Sequence, residues 1–239
     1  MAMSVSAWRK MVTSAAERLG PQWRVVGDGR KTVLMRTDIE WWALYVGYEP
    51  TRLGRVFAYS AFLGGPLPPT RTGDAGVDGD QFVFPGEPRI RYQDDLVCAA
   101  GIAEFAEVVV GVALDPVRDV RGYLAYSEET LVTRTASGHD YLYTGRSRQR
   151  LVLLRVVCAA KPTAGLIEDV QWVLDDRLVN QNGANPSSEV FFAEMLELLR
   201  DDDRGGVEDL ISRTRQAGLA ELGASPDTLR PLVFPEPVV

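Results

Sequence analysis

The chain has 239 residues, of which 46% are hydrophobic and 25% are charged. This composition supports a real core and excludes a disordered chain or a fibrous repeat. The length fits one large domain or two small ones. The net charge of −7 argues against a general nucleic-acid-binding protein, whose surface would be basic.

The N-terminal part predicts one helix followed by a sheet. Apolar residues recur at helical spacing over residues 5–19 and stop at Gly20-Pro21. Four β-rich runs follow, with Gly27-Asp28-Gly29 as the turn between the first two. They are residues 22–26, 31–36, 41–48 and 55–63. We expect an antiparallel sheet of about four strands with the helix covering one face, and hence an α+β fold.

The middle of the chain is harder to interpret. Residues 64–80 predict a long loop rich in Gly and Pro, residues 82–84 a short strand, and residues 94–114 a buried helix. Asp115-Pro116 then has the pattern of a cap and first helical position, which predicts a short helix through Leu124. Residues 131–135 and 140–144 weakly predict a hairpin. Residues 149–160 are apolar almost throughout, so periodicity leaves helix and strand both open.

The C-terminal part is predicted to be mainly helical. Thr163 is expected to cap a first helix, Ser187 or Ser188 a second, and a third carries Val207 to Thr214. The tail 231–239 contains three prolines and is expected to be extended. Residues 161–239 hold 7 Lys/Arg against 15 Asp/Glu, a net of −8, whereas residues 1–160 have a net of +1. We therefore divide the chain into an α+β body, 1–160, and an acidic helical region, 161–239, which can pack as one domain with the body.

Several catalytic classes are excluded by missing residues. His139 is the only histidine, which rules out zinc and iron sites that need two histidines. No Gly-x-Ser-x-Gly, no Walker A motif and no Gly-x-Gly-x-x-Gly after a strand is present. The two cysteines, Cys98 and Cys158, lie in apolar runs and are expected to be free thiols rather than nucleophiles. We expect no cofactor and no metal.

Three groups of residues remain as candidates for binding. Strand alternation places Trp41 and Tyr45 opposite the expected core face, either under a helix or exposed for recognition, and the core interpretation is favoured. The tail could reach a neighbouring molecule as an extended arm through Phe234, which would make a homo-oligomer. The acidic run at a helix end opposes the helix dipole, a costly choice that can mark an interaction surface. Its residues are Asp201, Asp202 and Asp203.

One basic cluster could hold an anion. Arg146, Arg148 and Arg150 lie near the start of the apolar run, where exposed amides and guanidinium groups suit phosphate or carboxylate. The favoured alternative is that these arginines pair with the acidic C-terminal helices.

The leading functional hypothesis is a non-enzymatic interaction module that binds a protein with a basic surface. It would act as an adaptor, an immunity-type inhibitor or a phage-related structural component. The 23 Arg against 3 Lys are typical of a bacterial coding sequence rich in GC. The N-terminus lacks a signal-peptide pattern and no apolar run is long enough for a membrane, so a cytoplasmic location is expected.

The rival hypothesis is a His-poor enzyme or small-ligand-binding protein that uses carboxylates, Arg and Tyr near the 64–80 loop. Its candidate groups are Asp74, Asp78, Asp80, Tyr143, Arg146 and Arg148. A cation site in this loop is weighed against a solvated acidic loop, which is favoured because the spacing is not that of an EF-hand.

Overall fold

A computed structural model describes ten stretches of the chain. They are residues 4–29, 32–36, 40–49, 55–66, 95–114, 119–136, 145–175, 186–221, 223–225 and 230–236. These residues form seven α-helices and a four-stranded antiparallel sheet, which confirms the α+β fold class. By packing they divide into two compact units.

The first unit holds the sheet and two helices. It comprises the described residues within Met1–Phe62, Leu67–Asp115 and Gly218–Pro231. Its elements are α1 (Val5–Leu19), β1 (Trp23–Val26), β2 (Val33–Arg36), β3 (Trp42–Glu49), β4 (Arg55–Phe62) and α2 (Asp95–Leu114). The strands pair in sequence order, each antiparallel to the next. The sheet is therefore the meander that the four β-rich runs predict.

The helix α1 is fixed at its ends and tied to the sheet. The hydroxyl of Ser4 accepts a hydrogen bond from the amide of Ala7 at 3.2 Å, and Gly20, with φ at 92°, ends the helix. The Trp8 indole donates to the carbonyl of Thr32 at 2.8 Å, and its ring stacks on Tyr48 with centroids 5.4 Å apart. Apolar side chains of α1, α2 and the sheet form one core. Its larger members include Trp8, Met11, Leu34, Leu44, Ile102 and Phe105.

The second unit is helical. It comprises the described residues within Leu63–Pro66, Pro116–Ala217 and Leu232–Val239. Its elements are α3 (Val120–Ala136), α4 (Gly145–Cys158), α5 (Ala164–Asp175), α6 (Pro186–Arg200) and α7 (Arg204–Glu221), although the last residues of α7 belong to the first unit. Helices α3 and α4, which the sequence analysis grouped with the N-terminal body, thus pack in the second unit. The boundary expected after residue 160 stays a prediction.

Side-chain oxygen atoms cap three helices of this unit. Asp119 accepts from the amide of Gly122 at 2.7 Å and begins α3. Thr163 accepts from the amide of Leu166 at 3.2 Å and begins α5, which confirms the cap expected there. Asp203 begins α7 in the same way. Each oxygen satisfies an amide that has no partner within its own helix.

Arg155 of α4 joins three helices. Its Nε donates to Glu128 of α3 at 3.0 Å, and its Nη1 donates to Asp169 of α5 at 2.8 Å. Partial burial would lower the pKa of Arg155, but the hydrogen bonds to Asp169 and Glu128 outweigh burial and raise that pKa. The charged form is therefore held in place between the two carboxylates.

Several local predictions are wrong. Residues 131–135, expected as a strand, continue α3, and their β-branched residues express only a weak, context-dependent preference for strand. Helix α3 starts after Asp119, so the expected short helix from Asp115-Pro116 through Leu124 has the wrong bounds. Ser187 and Ser188 lie in the first turn of α6, which begins at Pro186, a residue suited to the first helical position.

The choice between helix and strand for residues 149–160 is settled in favour of helix. Residues 145–158 form α4, which covers most of the apolar run 149–160. The expected strands at 82–84 and 140–144 lie outside the described residues.

Candidate functional site

One side of α6 presents carboxylates to solvent. Glu189, Glu197 and Asp201 are exposed, and at 3.6 residues per turn they fall within about 120° of the helix circumference. Asp202, in the turn that follows, is also exposed. We call Glu189, Glu197, Asp201 and Asp202 the acidic surface. The opposite side of α6 is buried, which fixes the direction of the acidic surface. Its buried residues are Phe191, Phe192, Met195, Leu196 and Leu199.

Val190 lies within the same arc of α6. Its side chain is 67% exposed, and its helical position falls between those of Glu197 and Asp201. The acidic surface therefore includes an apolar contact point among its carboxylates.

The arginines of the last two helices form no ion pair with the acidic surface. Residues 186–221 carry nine Asp/Glu and four Arg. Arg200 donates to Gln171 at 3.1 Å, Arg213 pairs with Glu194, and Arg215 is buried. Arg204 pairs with Glu208 at 2.7 Å.

No hydrogen bond or ion pair within the described part of the chain engages the side chains of the acidic surface. The four carboxylates therefore have no ion-pair partner among the described residues, and the exposed Arg200 is their nearest cation along the chain.

The acidic run has a structural role that the sequence analysis missed. Asp202 takes a left-handed conformation with φ at 53°, and its amide donates to Leu199 at 3.3 Å, while the amide of Asp203 donates to Leu198 at 2.9 Å. These two bonds form a Schellman motif that ends α6. The Asp203 carboxylate then accepts from the amide of Gly206 at 2.9 Å and caps α7.

The expected dipole penalty is therefore wrong for Asp203. Its charge lies at the positive end of α7, where it is stabilising. Asp201 and Asp202 stay exposed at the end of α6, and the interaction role expected for them stays a prediction.

Two arginines of the basic cluster contact aromatic rings on different helices. Arg148 places its guanidinium 3.5 Å from the ring centre of Trp172 on α5, whereas Arg150 lies 5.3 Å from the ring centre of Tyr123 on α3. Two positions apart on a helix, the side chains point about 200° apart, so they contact different neighbours. Arg146 lies in the first turn of α4. Arg148 and Arg150 each contact an aromatic ring, and the anion-binding role expected for Arg146, Arg148 and Arg150 stays a prediction.

Trp41 and Tyr45 are core residues. They are only 4% and 5% exposed, so the alternative of exposed recognition aromatics is wrong. Trp41 stacks on Phe62 with centroids 5.8 Å apart. The Tyr45 hydroxyl has no hydrogen-bond partner among the described residues, and burial raises the pKa of Tyr45 well above its usual range. Neither ring is available to a partner.

The C-terminal tail packs on the second unit. The Phe234 ring lies 5.8 Å from the guanidinium of Arg204, and Arg121 donates to the backbone carbonyl of Glu236. Residues 230–236 have no regular secondary structure, and the extended conformation expected for the tail 231–239 stays a prediction. The described part of the tail is thus held by its own chain, and its use as an arm toward a neighbour stays a prediction.

The described residues offer little for catalysis. Cys98 and Cys158 are free thiols, as expected, and burial is the main cause that raises the pKa of Cys158, which keeps the less nucleophilic thiol form. In the part of the chain that the structure describes, no group of three or more His, Cys, Asp or Glu could hold a metal. The rival's Asp74, Asp78, Asp80 and Tyr143, like His139, lie outside the described residues.

A small cavity lies beside Arg204. It has a volume of about 20 Å³ and a mainly aliphatic lining that includes Val156, Pro162 and Leu199. That is room for about one water, whereas ligand pockets usually reach about 300 Å³ or more. This cavity is too small for a metabolite.

Two arginines escaped the sequence analysis. Arg204 donates to the carbonyls of Val156, Val157 and Ala159 at 3.0–3.1 Å, which lie more than forty residues earlier in the chain. Arg121 reaches the tail more than a hundred residues later. No local pattern marks either contact, because both depend on tertiary packing.

No family model, no curated protein and no solved structure matches this chain. Among the described residues, no helix combines the length and apolar character needed to cross a membrane.

Proposed function

We propose that the chain is a non-enzymatic bacterial interaction module of the cytoplasm that binds a protein with a basic surface. The acidic surface is the docking site. The observation that carries the proposal is that the four carboxylates of the acidic surface have no ion-pair partner among the described residues, while Arg204 and Arg213 pair with other carboxylates. The carboxylates of the acidic surface thus stay available to an outside cation.

Uncompensated charge at a surface acts mainly on the rate of encounter. A negative patch attracts a positive partner over a Debye length of about 8 Å at physiological salt, which raises the association rate. Val190 adds an apolar contact among the carboxylates, which contributes affinity once the partner is seated. A basic partner with a small apolar residue between its cations fits this surface best.

The cytoplasmic location is supported by the free thiols of Cys98 and Cys158, since thiols persist in a reducing compartment.

The test is capture of the partner from the native host with a surface variant and a matched control. The variant Glu189→Gln/Glu197→Gln/Asp201→Asn removes three charges from the acidic surface. The control removes three exposed carboxylates from the first unit, Glu17→Gln/Glu104→Gln/Glu107→Gln. Mass spectrometry and gel densitometry measure the partner recovered per copy of each chain.

We expect a stoichiometric basic partner with the wild type and the control, and at least a tenfold loss with the surface variant. Equal recovery by all three forms would contradict the proposed docking site. A retained metabolite in place of a protein partner would favour the rival hypothesis.

A further inference from the structure

The contact between the tail and the second unit has the features of a peptide-binding site. Two anchors hold a segment without regular secondary structure: the Phe234 ring on Arg204 and the Glu236 carbonyl on Arg121. Between the anchors lies Pro235, whose fixed φ favours an extended chain and lowers the entropy lost on binding. The segment that contacts this surface thus consists of an aromatic ring, a proline and a bonded backbone carbonyl.

The Arg204 guanidinium, which contacts the Phe234 ring, is held by several hydrogen bonds. Its Nε donates to Glu208 at 2.7 Å, and its two terminal nitrogens donate to three carbonyls at the end of α4. These in-plane bonds leave the flat face of Arg204 for stacking. The cation that meets the ring is therefore in place before the tail binds, which lowers the cost of binding.

The second anchor, Arg121, binds the backbone of the tail and not a side chain. Arg121 on α3 is exposed and donates to the main-chain oxygen of Glu236. This bond does not depend on which side chain residue 236 carries. Phe234 and Glu236 are two residues apart in the chain, so the two anchors hold one short segment of the tail on the second unit.

We propose that Arg121 and Arg204 form a binding site for an extended Phe-Pro segment. The chain's own tail fills this site, and the tail of a second copy fills it by exchange. The exchanged tail would make the same contacts as the chain's own tail, because it has the same sequence and meets the same surface. Such exchange of an identical segment links two copies without any new interface.

Exchange depends on concentration. A tethered tail competes at an effective concentration of about millimolar, so the chain's own tail dominates in dilute solution. Phe234, Leu232 and Pro235 are only half-buried, so the tail is held weakly enough to dissociate and rebind. Weakening the chain's own tail should therefore open the site to a tail supplied from outside.

The experiment uses the full chain and a fluorescent peptide with the sequence of residues 230–239. Fluorescence anisotropy measures peptide binding to the wild type, to Phe234→Ala and to Val233→Ala. Val233 is the control because its side chain is mostly exposed. Circular dichroism checks that each variant keeps its helices.

We expect Phe234→Ala to bind the peptide about tenfold more tightly than the wild type, since losing a half-buried ring and its cation contact weakens the internal competitor by about that factor. Val233→Ala should behave as the wild type. A peptide with alanine at the Phe234 position should not bind, and the double variant Phe234→Ala/Arg121→Ala should bind the wild-type peptide more weakly than Phe234→Ala.

Equal peptide binding by the wild type and Phe234→Ala would overturn the proposed site, and so would no binding to either form. Sedimentation of the wild type at high concentration tests the exchange. Dimers that disappear with Phe234→Ala are expected, whereas dimers that persist in that variant, or a chain that stays monomeric at every concentration, would overturn exchange between copies. These outcomes do not depend on the acidic surface, because the tail site uses none of its residues.

Discussion

Substitutions of Asp202 and Asp203, the adjacent aspartates between α6 and α7, should change the stability of the protein in opposite directions. Asp203→Ala removes the carboxylate that accepts from Gly206 at 2.9 Å. A lost cap costs about 1 kcal/mol, and the lost charge at a helix N-terminus costs about 0.5 kcal/mol more. We expect the free energy of unfolding to fall by about 1.5 kcal/mol.

Asp202→Gly should stabilise the protein. Asp202 has φ at 53°, a conformation that costs an L-residue energy and that glycine adopts freely. Part of this gain is lost because glycine makes the unfolded chain more flexible. The net gain should be about 0.5 kcal/mol.

Urea denaturation followed by far-UV circular dichroism measures both changes. Asp201→Ala is the matched control, since it removes the same charge from an exposed position without a cap, and its effect should stay within about 0.5 kcal/mol. A harmless Asp203→Ala, or an Asp202→Gly that destabilises as much as Asp203→Ala does, would refute the assignment of the turn.

Three further predictions concern other parts of the chain. Tyr45→Phe should raise the free energy of unfolding by about 1 kcal/mol, because it removes a buried hydroxyl without a partner among the described residues. Since burial raises the pKa of Tyr45, the Tyr45 hydroxyl loses its proton at a lower pH in the unfolded chain than in the folded protein. Wild-type stability should then fall as pH rises above about 10, more steeply than that of the variant; parallel pH profiles would count against this. Gly206→Ala should lower the melting temperature, because a Cβ there would lie 2.5 Å from both Leu198 Cδ2 and Asp203 Oδ2, and displacing the Asp203 carboxylate would weaken the cap of α7; an unchanged melting temperature would contradict this. Cys158 should react with a thiol reagent more slowly than an unfolded cysteine near neutral pH, because burial raises its pKa; a rate equal to that in urea would disprove this.

The N-terminal fold follows closely from the sequence, because its signals are local. Trp8, Met11, Val12 and Ala15 recur at helical spacing, and all are buried in α1. The Gly27-Asp28-Gly29 turn joins two strands that pair as predicted, with Val26 opposite Val33. Thr163 caps α5 because a hydroxyl before an apolar periodic run is a local signal.

The structural features that local sequence patterns do not predict depend on contacts between residues far apart in the chain. Trp41 and Tyr45 are buried, as the favoured core interpretation expects, but alternation alone does not say what covers a second face of the sheet. The acidic run was interpreted as the end of one helix, whereas it ends α6 and begins α7 within three residues. Arg121 and Arg204 contact partners too far away in the chain for any spacing to reveal.

The most direct test of the acidic surface is the association rate with the captured partner, measured at low and at high salt. With steering by these carboxylates, Glu189→Gln/Glu197→Gln/Asp201→Asn should lower the low-salt rate by about tenfold. High salt should bring the wild type down to the rate of the variant, because it screens exposed charges. The control Glu17→Gln/Glu104→Gln/Glu107→Gln should keep the wild-type rate at both salt concentrations. A surface variant that associates as fast as the wild type at low salt would contradict the account.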